Sequence, residues 1–451
     1  MAYASFPHHL WPVSTHFFQQ RLFLGKHDLG EIARRLGSPL YLYDLATIDH
    51  AIGALRRGLR AWPGPGLITY ASKAWLSLPL AQLLTRRGLG FDVVSLGELE
   101  IAQRGGADLR RVHLHGNNKS PDLLARAADA GVGAIVVDNL HELSLLEAMK
   151  PPAPLALWLR LNPDQSPDTH AYRQTGHEGS KFGLNWEEAQ EAARRIARAP
   201  HLRLTGLHAH IGSQFFELTP WFRAIDRLVA LAAWVEKRHL GEIRFLSPGG
   251  GLGVPYHPDD PPARLAETVA RLSRYAAGVW RNGLSGSFPT LTLEPGRSLI
   301  ARAGVALYTV GAVRHLASGQ RIIAVDGGMN DNMRPALYGA RYTAALAHAP
   351  LAAAMGPARI VGPLCESGDF LIERIDLPEV QPEDILATPV SGAYHLSMAS
   401  NYNGMLRPAV YLHARGDLVP MQRRETVADL LHRDIPLENP SNPTGTAFKD
   451  A

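Results

Sequence analysis

The chain has 451 residues, 46% of them apolar and 20% charged, with a formal net charge of +4. That length exceeds one small domain and suits a barrel of about 250 residues plus a second domain. The small, scattered charge, as at Arg423-Arg424, reads as solvated faces and excludes a broad nucleic-acid surface.

Cys365 is the single cysteine, so no intrachain disulfide can form, and a reducing compartment is expected. The first twenty residues carry Pro7, His8, His9, Pro12 and His16, without the basic start and apolar run of a secretory signal. No run of about twenty apolar residues offers a membrane span. The expectation is a soluble, cytoplasmic protein with no membrane or nucleic-acid partner.

In chain order, the segment from Pro39 to Tyr43 reads as a strand that joins a later β domain. Eight short apolar runs follow, at 67–72, 90–95, 112–116, 134–138, 155–162, 204–211, 243–248 and 290–294. Segments with helical spacing lie between them, such as 78–87, 96–104 and 186–199. Alternation of strand and helix predicts parallel pairing with right-handed crossovers, and eight units predict an α/β fold of the closed (β/α)8 type. An open doubly wound sheet is the competing reading. After Arg297 the runs 305–313, 321–325, 358–361, 385–389 and 409–413 predict a second, mainly β domain. The expected division is a barrel over 44–292, a β domain from 1–43 and 293–432, and a disordered tail over 433–451.

A barrel gathers its chemistry where strands end. The predicted exits carry Lys73, Asp92, Ser95, Asn117, Asn118, Asp138, Arg160, Asn162, His210, Ser213, Gly249, Gly250, Gly251 and Glu294. A lysine at such a mouth is partly desolvated, which lowers its pKa and favours Schiff-base chemistry; the plain alternative is a lysine that snorkels to the rim. His208 and His210 share a face. They could hold zinc, but no cysteine and no evident carboxylate completes a set, so no metal is expected. An imidazole there could instead lie against an aromatic cofactor, with Gly212 and Ser213 donating to a phosphate. The glycine-rich exit 247–253 allows close approach of backbone N–H groups to phosphate, and a tight turn is the alternative. Glu294 and Arg297 stand three apart, either as a local ion pair or with the arginine binding phosphate or carboxylate. In the second domain, segments 326–338, 362–369 and 392–403 are polar. The middle one holds Cys365 beside Glu366, although a lone cysteine is more often a small buried apolar residue.

Taken together these segments resemble the alanine-racemase-like, fold-type III pyridoxal-phosphate enzymes. Within that group they are similar to the diaminopimelate decarboxylase family. The general signals are the segment 70–74 around Lys73, His210 to Ser213, the triple glycine, and Glu294 to Arg297. The narrower ones are 115–120, 181–183, 330–338, 365–369 and 398–403, and the resemblance runs from about residue 20 to 432.

The resemblance implies pyridoxal 5'-phosphate as cofactor and decarboxylation of meso-2,6-diaminopimelate to L-lysine. It implies that Lys73 holds the cofactor covalently, His210 stacks on its ring and Glu294 pairs with the ring nitrogen. Asp92 is also expected at the cofactor. Ser213, Gly249, Gly250, Gly251, Gly296 and Arg297 would surround the phosphate, with Tyr402 reaching the cofactor. Arg297, Arg334 and Tyr338 would hold the distal carboxylate of the substrate, Glu366 its distal ammonium, and Cys365 would donate a proton. A homodimer with shared sites is implied, because the Cys365-Glu366 loop enters the partner's site in this family. Trp75 departs from the asparagine often found there and is expected at the pocket's edge, and the loop 166–179 matches imperfectly. A related decarboxylase of ornithine, lysine, arginine or carboxynorspermidine is the alternative. Arg334 and Cys365-Glu366-Ser367 speak against it, because those substrates lack a far carboxylate. A racemase, a non-catalytic cofactor-binding homologue and a sugar-processing barrel fit less well.

Overall fold

The computed structural model describes residues 6–162 and 181–436. A small antiparallel sheet opens the chain, with β1 (Thr15–Phe18), β2 (Arg21–Leu24) and β3 (His27–Asp28). After helix Leu29–Leu36 comes β4 (Leu40–Asp44), buried at all five residues.

The eight apolar runs then form β5 (Gly66–Ala71), β6 (Gly90–Val93), β7 (Val112–Leu114), β8 (Ala134–Val137), β9 (Leu155–Arg160), β10 (Leu202–His208), β11 (Phe245–Ser247) and β12 (Thr290–Leu293). They close into one barrel, every neighbouring pair parallel, with β12 returning to β5 through Leu291 opposite Gly66. β6, β7 and β8 are buried at every position, as strands covered on both faces must be. Inside the barrel Trp158 packs with Ala134, Val136 and Phe245. A side chain at Gly206 would meet that indole at 2.6 Å, so the glycine makes room for it.

The strand-to-helix turns are built by side-chain caps. Ser77, Ser95, Ser120 and Asn139 each accept from the backbone N–H three residues on, and Asn185 forms a reciprocal box with Glu188. Each such cap stabilises its helix by about 1 kcal/mol and fixes the loop that precedes it.

The second sheet holds β13 (Gly304–His315), β14 (Arg321–Val325), β15 (Ala345–Leu346), β16 (Gly356–Val361), β17 (Phe370–Leu377), β18 (Ile385–Thr388), β19 (Ala409–Ala414) and β20 (Asp417–Gln422). Its main path runs β17-β16-β14-β13-β4-β19-β20, with β18 bridging β13 and β15. The segment from Pro39 to Tyr43 therefore lies in the middle of this sheet, antiparallel to β13 and parallel to β19. Among the described residues no helix is long and apolar enough to cross a membrane. Most of the expected tail (437–451) and the whole loop 166–179 lie outside the described residues.

Candidate active site

At the strand exits lies a cavity of about 540 Å³, lined by Lys73, Asp92, His210, Ser213, Gly251, Glu294, Gly296 and Arg297 among others. A cavity of about 640 Å³ lies on the other side of Leu252 and Ser298, and Lys73 does not line it.

Lys73 sits in the short helical turn Ser72–Ala74 directly after β5. Its amine opens into the cavity, while protein encloses it on the remaining sides. That enclosure lowers its pKa below the ordinary 10.5, as does the Arg160 cation; Glu294 and Asp92 pull the other way. The turn is clamped from the second domain, since Ala74 O accepts from the Tyr394 N–H at 2.7 Å and the Ser397 hydroxyl at 3.1 Å.

Glu294 directly follows β12 and is buried. Ser247 Oγ donates to its Oε1 at 2.6 Å, and His208 Nε2 lies 3.0 Å from Oε2. Burial pushes the Glu294 pKa up, but the His208 contact prevails and holds it at about 2. Asp92 on β6 accepts from Thr69 Oγ1 at 3.1 Å, faces His113 Nδ1 at 3.3 Å and stands 3.5 Å from His115 Nε2. These contacts bring carboxylates to the histidines where the sequence reading found none. Ligand-type atoms of Asp92, His113 and His115, and of His115, His208 and Glu294, lie within 4.8 Å of one another. His113–Asp92 and His208–Glu294 are donor–acceptor pairs within these sets.

His210 lines the cavity, and burial beside Lys73 and Arg160 pushes its pKa well below 6.5, leaving a neutral ring. The Gly250 N–H reaches His210 Nδ1 at 3.5 Å. The turn of Gly249, Gly250 and Gly251 is pressed between neighbouring loops. A Cβ on Gly250 would sit 2.0 Å from Glu294 O, one on Gly251 2.1 Å from Gly212 O, and Gly251 has φ +92°. Only glycine fits there, and the backbone is free to meet a ligand closely.

Arg297 donates to Tyr256 Oη at 2.9 Å and to Ser213 Oγ at 3.2 Å, and its guanidinium lies 4.6 Å from the Tyr394 ring centroid. Arg334 is buried 4.8 Å above the Tyr256 ring and donates to Tyr342 Oη. It does not itself line the cavity, but it shares the Tyr256 ring with Arg297, which does.

Several expected positions lie elsewhere in the single chain. Tyr402 is 44% and Tyr338 63% exposed, and neither lines the cavity. Tyr394, eight residues before Tyr402, lines it instead. Cys365 and Glu366 are exposed outside the cavity, with the Cys365 N–H held by Asn403 Oδ1 at 3.0 Å. Trp75 is not at the pocket's edge: it is buried and stacked on Tyr43 at 4.5 Å, because the chain turns into the core after Lys73. The sequence reading named Asn117, Asn118 and Arg160 only as strand exits, and all three line the cavity with Phe182. Lys119 in the same motif is structural. Its Nζ donates to Gly116 O at 2.7 Å, Val136 O at 2.8 Å and both Glu142 oxygens at 2.8 Å, which fixes the loop presenting the two asparagines.

The donor set suits pyridoxal phosphate. A partly desolvated amine meets a glycine turn, a hydroxyl, an arginine and a buried carboxylate, all lining one cavity. The Arg297 Nε and His208 Nδ1 atoms are buried without partners, and the volume lies in the range of cofactor sites. A (β/α)8 barrel with this mouth, joined to a β domain, defines a fold-type III pyridoxal-phosphate enzyme.

Residues 46–301 match the family model described as pyridoxal-dependent decarboxylase, pyridoxal binding domain. The chain is 39% identical to a diaminopimelate decarboxylase of Bacillus subtilis over 428 residues, covering 92% of this chain and 95% of that one. The crystal structure of diaminopimelate decarboxylase from M. jannaschii in complex with L-lysine superposes with a TM-score of 0.86 at 30% identity, covering 94% of this chain and 98% of that one. The Helicobacter pylori enzyme, also with L-lysine, gives a TM-score of 0.79 at 30% identity over 89% and 98% of the two chains. The chain belongs to the diaminopimelate decarboxylase family of pyridoxal-dependent decarboxylases.

Proposed function

We propose that the chain removes carbon dioxide from the D-configured end of meso-2,6-diaminopimelate and releases L-lysine. The observation that carries this reading is the pair Arg297 and Arg334, which share the Tyr256 ring behind a cavity containing Lys73. Two guanidinium groups of this kind suit a substrate with a carboxylate at its far end.

When bound, pyridoxal phosphate supplies the electron sink that accepts the charge left by departing carbon dioxide. Lys73, whose pKa enclosure lowers, would hold the cofactor aldehyde through its amine. Ser213, Gly249 to Gly251, Gly296 and Arg297 would hold the phosphate, His210 would lie along the ring, and Glu294 would pair with the ring nitrogen. Asp92, which also lines the cavity, would stand at the cofactor as well. Arg297 and Arg334 anchor the distal carboxylate, which fixes the angle of the scissile bond and turns remote binding into rate. A substrate lacking that carboxylate leaves the cations unpaired, at about 1–3 kcal/mol.

Cys365, as proton donor, and Glu366, as partner of the distal ammonium, complete the site from a second copy of the chain. Their exposed loop lies outside the chain's own cavity, and Tyr338 and Tyr402 are exposed as well. The reading is a homodimer with shared sites in the reducing cytoplasm, where Cys365 stays a thiol. Mixing inactive Lys73→Ala and Cys365→Ala chains tests the sharing: activity returns in hybrids if sites are shared, and stays absent despite proven exchange if they are not. The reaction is tested by the yield of L-lysine and carbon dioxide from meso-diaminopimelate. One of each per substrate supports it; racemised substrate without carbon dioxide release overturns it.

A further inference from the structure

Around Glu294 stand polar side chains to which the reaction above gives no role of their own: Ser247, and the cavity-lining His208 and His115. Each Glu294 oxygen already meets one donor, Ser247 Oγ at 2.6 Å on Oε1 and His208 Nε2 at 3.0 Å on Oε2. His208 is buried, and that burial lowers its pKa while Glu294 raises it. A neutral imidazole beside a carboxylate carries its proton on the facing nitrogen, so Nε2 donates and Nδ1 is left as a bare acceptor. Nδ1 is indeed buried without a partner. Behind this pair the His115 ring stands 5.0 Å from the His208 ring, and His115 Nε2 lies 3.5 Å from Asp92.

A buried carboxylate and a pyridine nitrogen in contact compete for one proton. The cofactor is a strong electron sink only while the proton stays on the nitrogen. A carboxylate that accepts an O–H and an N–H is a weaker base than a bare one in the same low-dielectric site. We infer that Ser247 and His208 are positioning residues: by occupying both oxygens of Glu294 they keep the shared proton on the cofactor's ring nitrogen. This rests on the cofactor placement proposed above. Loss of one donor raises the proton affinity of Glu294 by roughly 10- to 100-fold, the worth of a hydrogen bond to a charged group.

The test loads wild type, Ser247→Ala, His208→Phe and His208→Gln with cofactor labelled with nitrogen-15 in the ring and reads the nitrogen chemical shift. The expected result is a protonated nitrogen in wild type and a shift towards the unprotonated value in Ser247→Ala and His208→Phe. His208→Gln, whose amide N–H can replace the donor, returns towards wild type. In steady state, the same variants lower kcat while KM for meso-diaminopimelate stays within about twofold, as loss of transition-state stabilisation alone requires. A merely structural role would alter cofactor retention without moving the shift. A protonated nitrogen in all variants, an unprotonated one in wild type, or a glutamine no better than phenylalanine overturns the inference. If His208→Phe does not fold, Ser247→Ala, which removes only a hydroxyl, decides the question. A wild-type chain that takes up no cofactor overturns the functional reading as well, and is distinguishable from cofactor bound with an indifferent nitrogen.

Discussion

Arg297 and Arg334 are held by one ring: their guanidinium carbons lie 5.6 and 4.8 Å from the Tyr256 centroid. Among the described residues neither has a carboxylate partner. Tyrosine hydroxyls and ring faces take that place, from Tyr256, Tyr342 and Tyr394. An arrangement of this kind presents two cations to an incoming anion while keeping them fixed. Replacing Arg334 with methionine keeps much of the packing and removes the charge. KM for meso-diaminopimelate rises roughly 10- to 100-fold, and any slow turnover of L-lysine is unaffected. Steady-state kinetics on both substrates check this.

Lys73 reacts with an aldehyde only as the neutral amine. Because enclosure lowers its pKa below 10.5, the reactive fraction at neutral pH exceeds that of an ordinary lysine. The rate of cofactor attachment to apoprotein, followed by visible absorbance, rises with pH and levels off below that value. Lys73→Ala never develops the absorbance.

Lys119 and Glu142 form a bidentate pair at 2.8 Å, both buried. Burial pushes the amine down and the carboxyl up, against the direction that pairing favours, so desolvation offsets much of the attraction. Lys119→Met alone strands a buried acid and destabilises by about 3–5 kcal/mol. The double variant with Glu142→Leu recovers most of that loss. Denaturant unfolding of both variants checks the prediction.

Asp331 lies under the Arg334 loop, accepting from Tyr41 and Tyr308 hydroxyls at 2.9 Å. Burial raises its pKa from 3.8 to about 6. The folded state therefore keeps a proton that the unfolded state has lost, and stability falls as pH rises between these values. The difference is on the order of 3 kcal/mol. Asp331→Asn removes this slope, which shows in melting midpoints measured across the window.

The barrel was readable because its strands are continuous apolar runs separated by helical spacing, and its chemistry because glycines and charged groups mark the exits. Lys73 at the mouth follows from that one pattern. β17 and β20 were missed since their burial patterns, half-exposed and without strict alternation, carry no period. Tyr394 and Tyr402 share one short segment and one residue type. What separates them is a φ of +63° at Tyr394 and its bond to Ala74 O, both set by distant packing. Lys119 had no assigned role within the 115–120 segment, and only the fold shows Glu142 waiting for it from the helix Leu140–Ala148. The Tyr256 bridge between Arg297 and Arg334 is likewise invisible in spacing, since a loop residue joins the first residues of two short helices far apart in sequence.

The most direct measurement is carbon dioxide release by holoenzyme from meso-diaminopimelate, set beside L-lysine, L-ornithine and L-arginine at equal concentration. The account predicts release from the dicarboxylate at least roughly tenfold faster than from any of the others, as unpaired guanidinium groups demand. Equal or faster release from a substrate without the second carboxylate would contradict it.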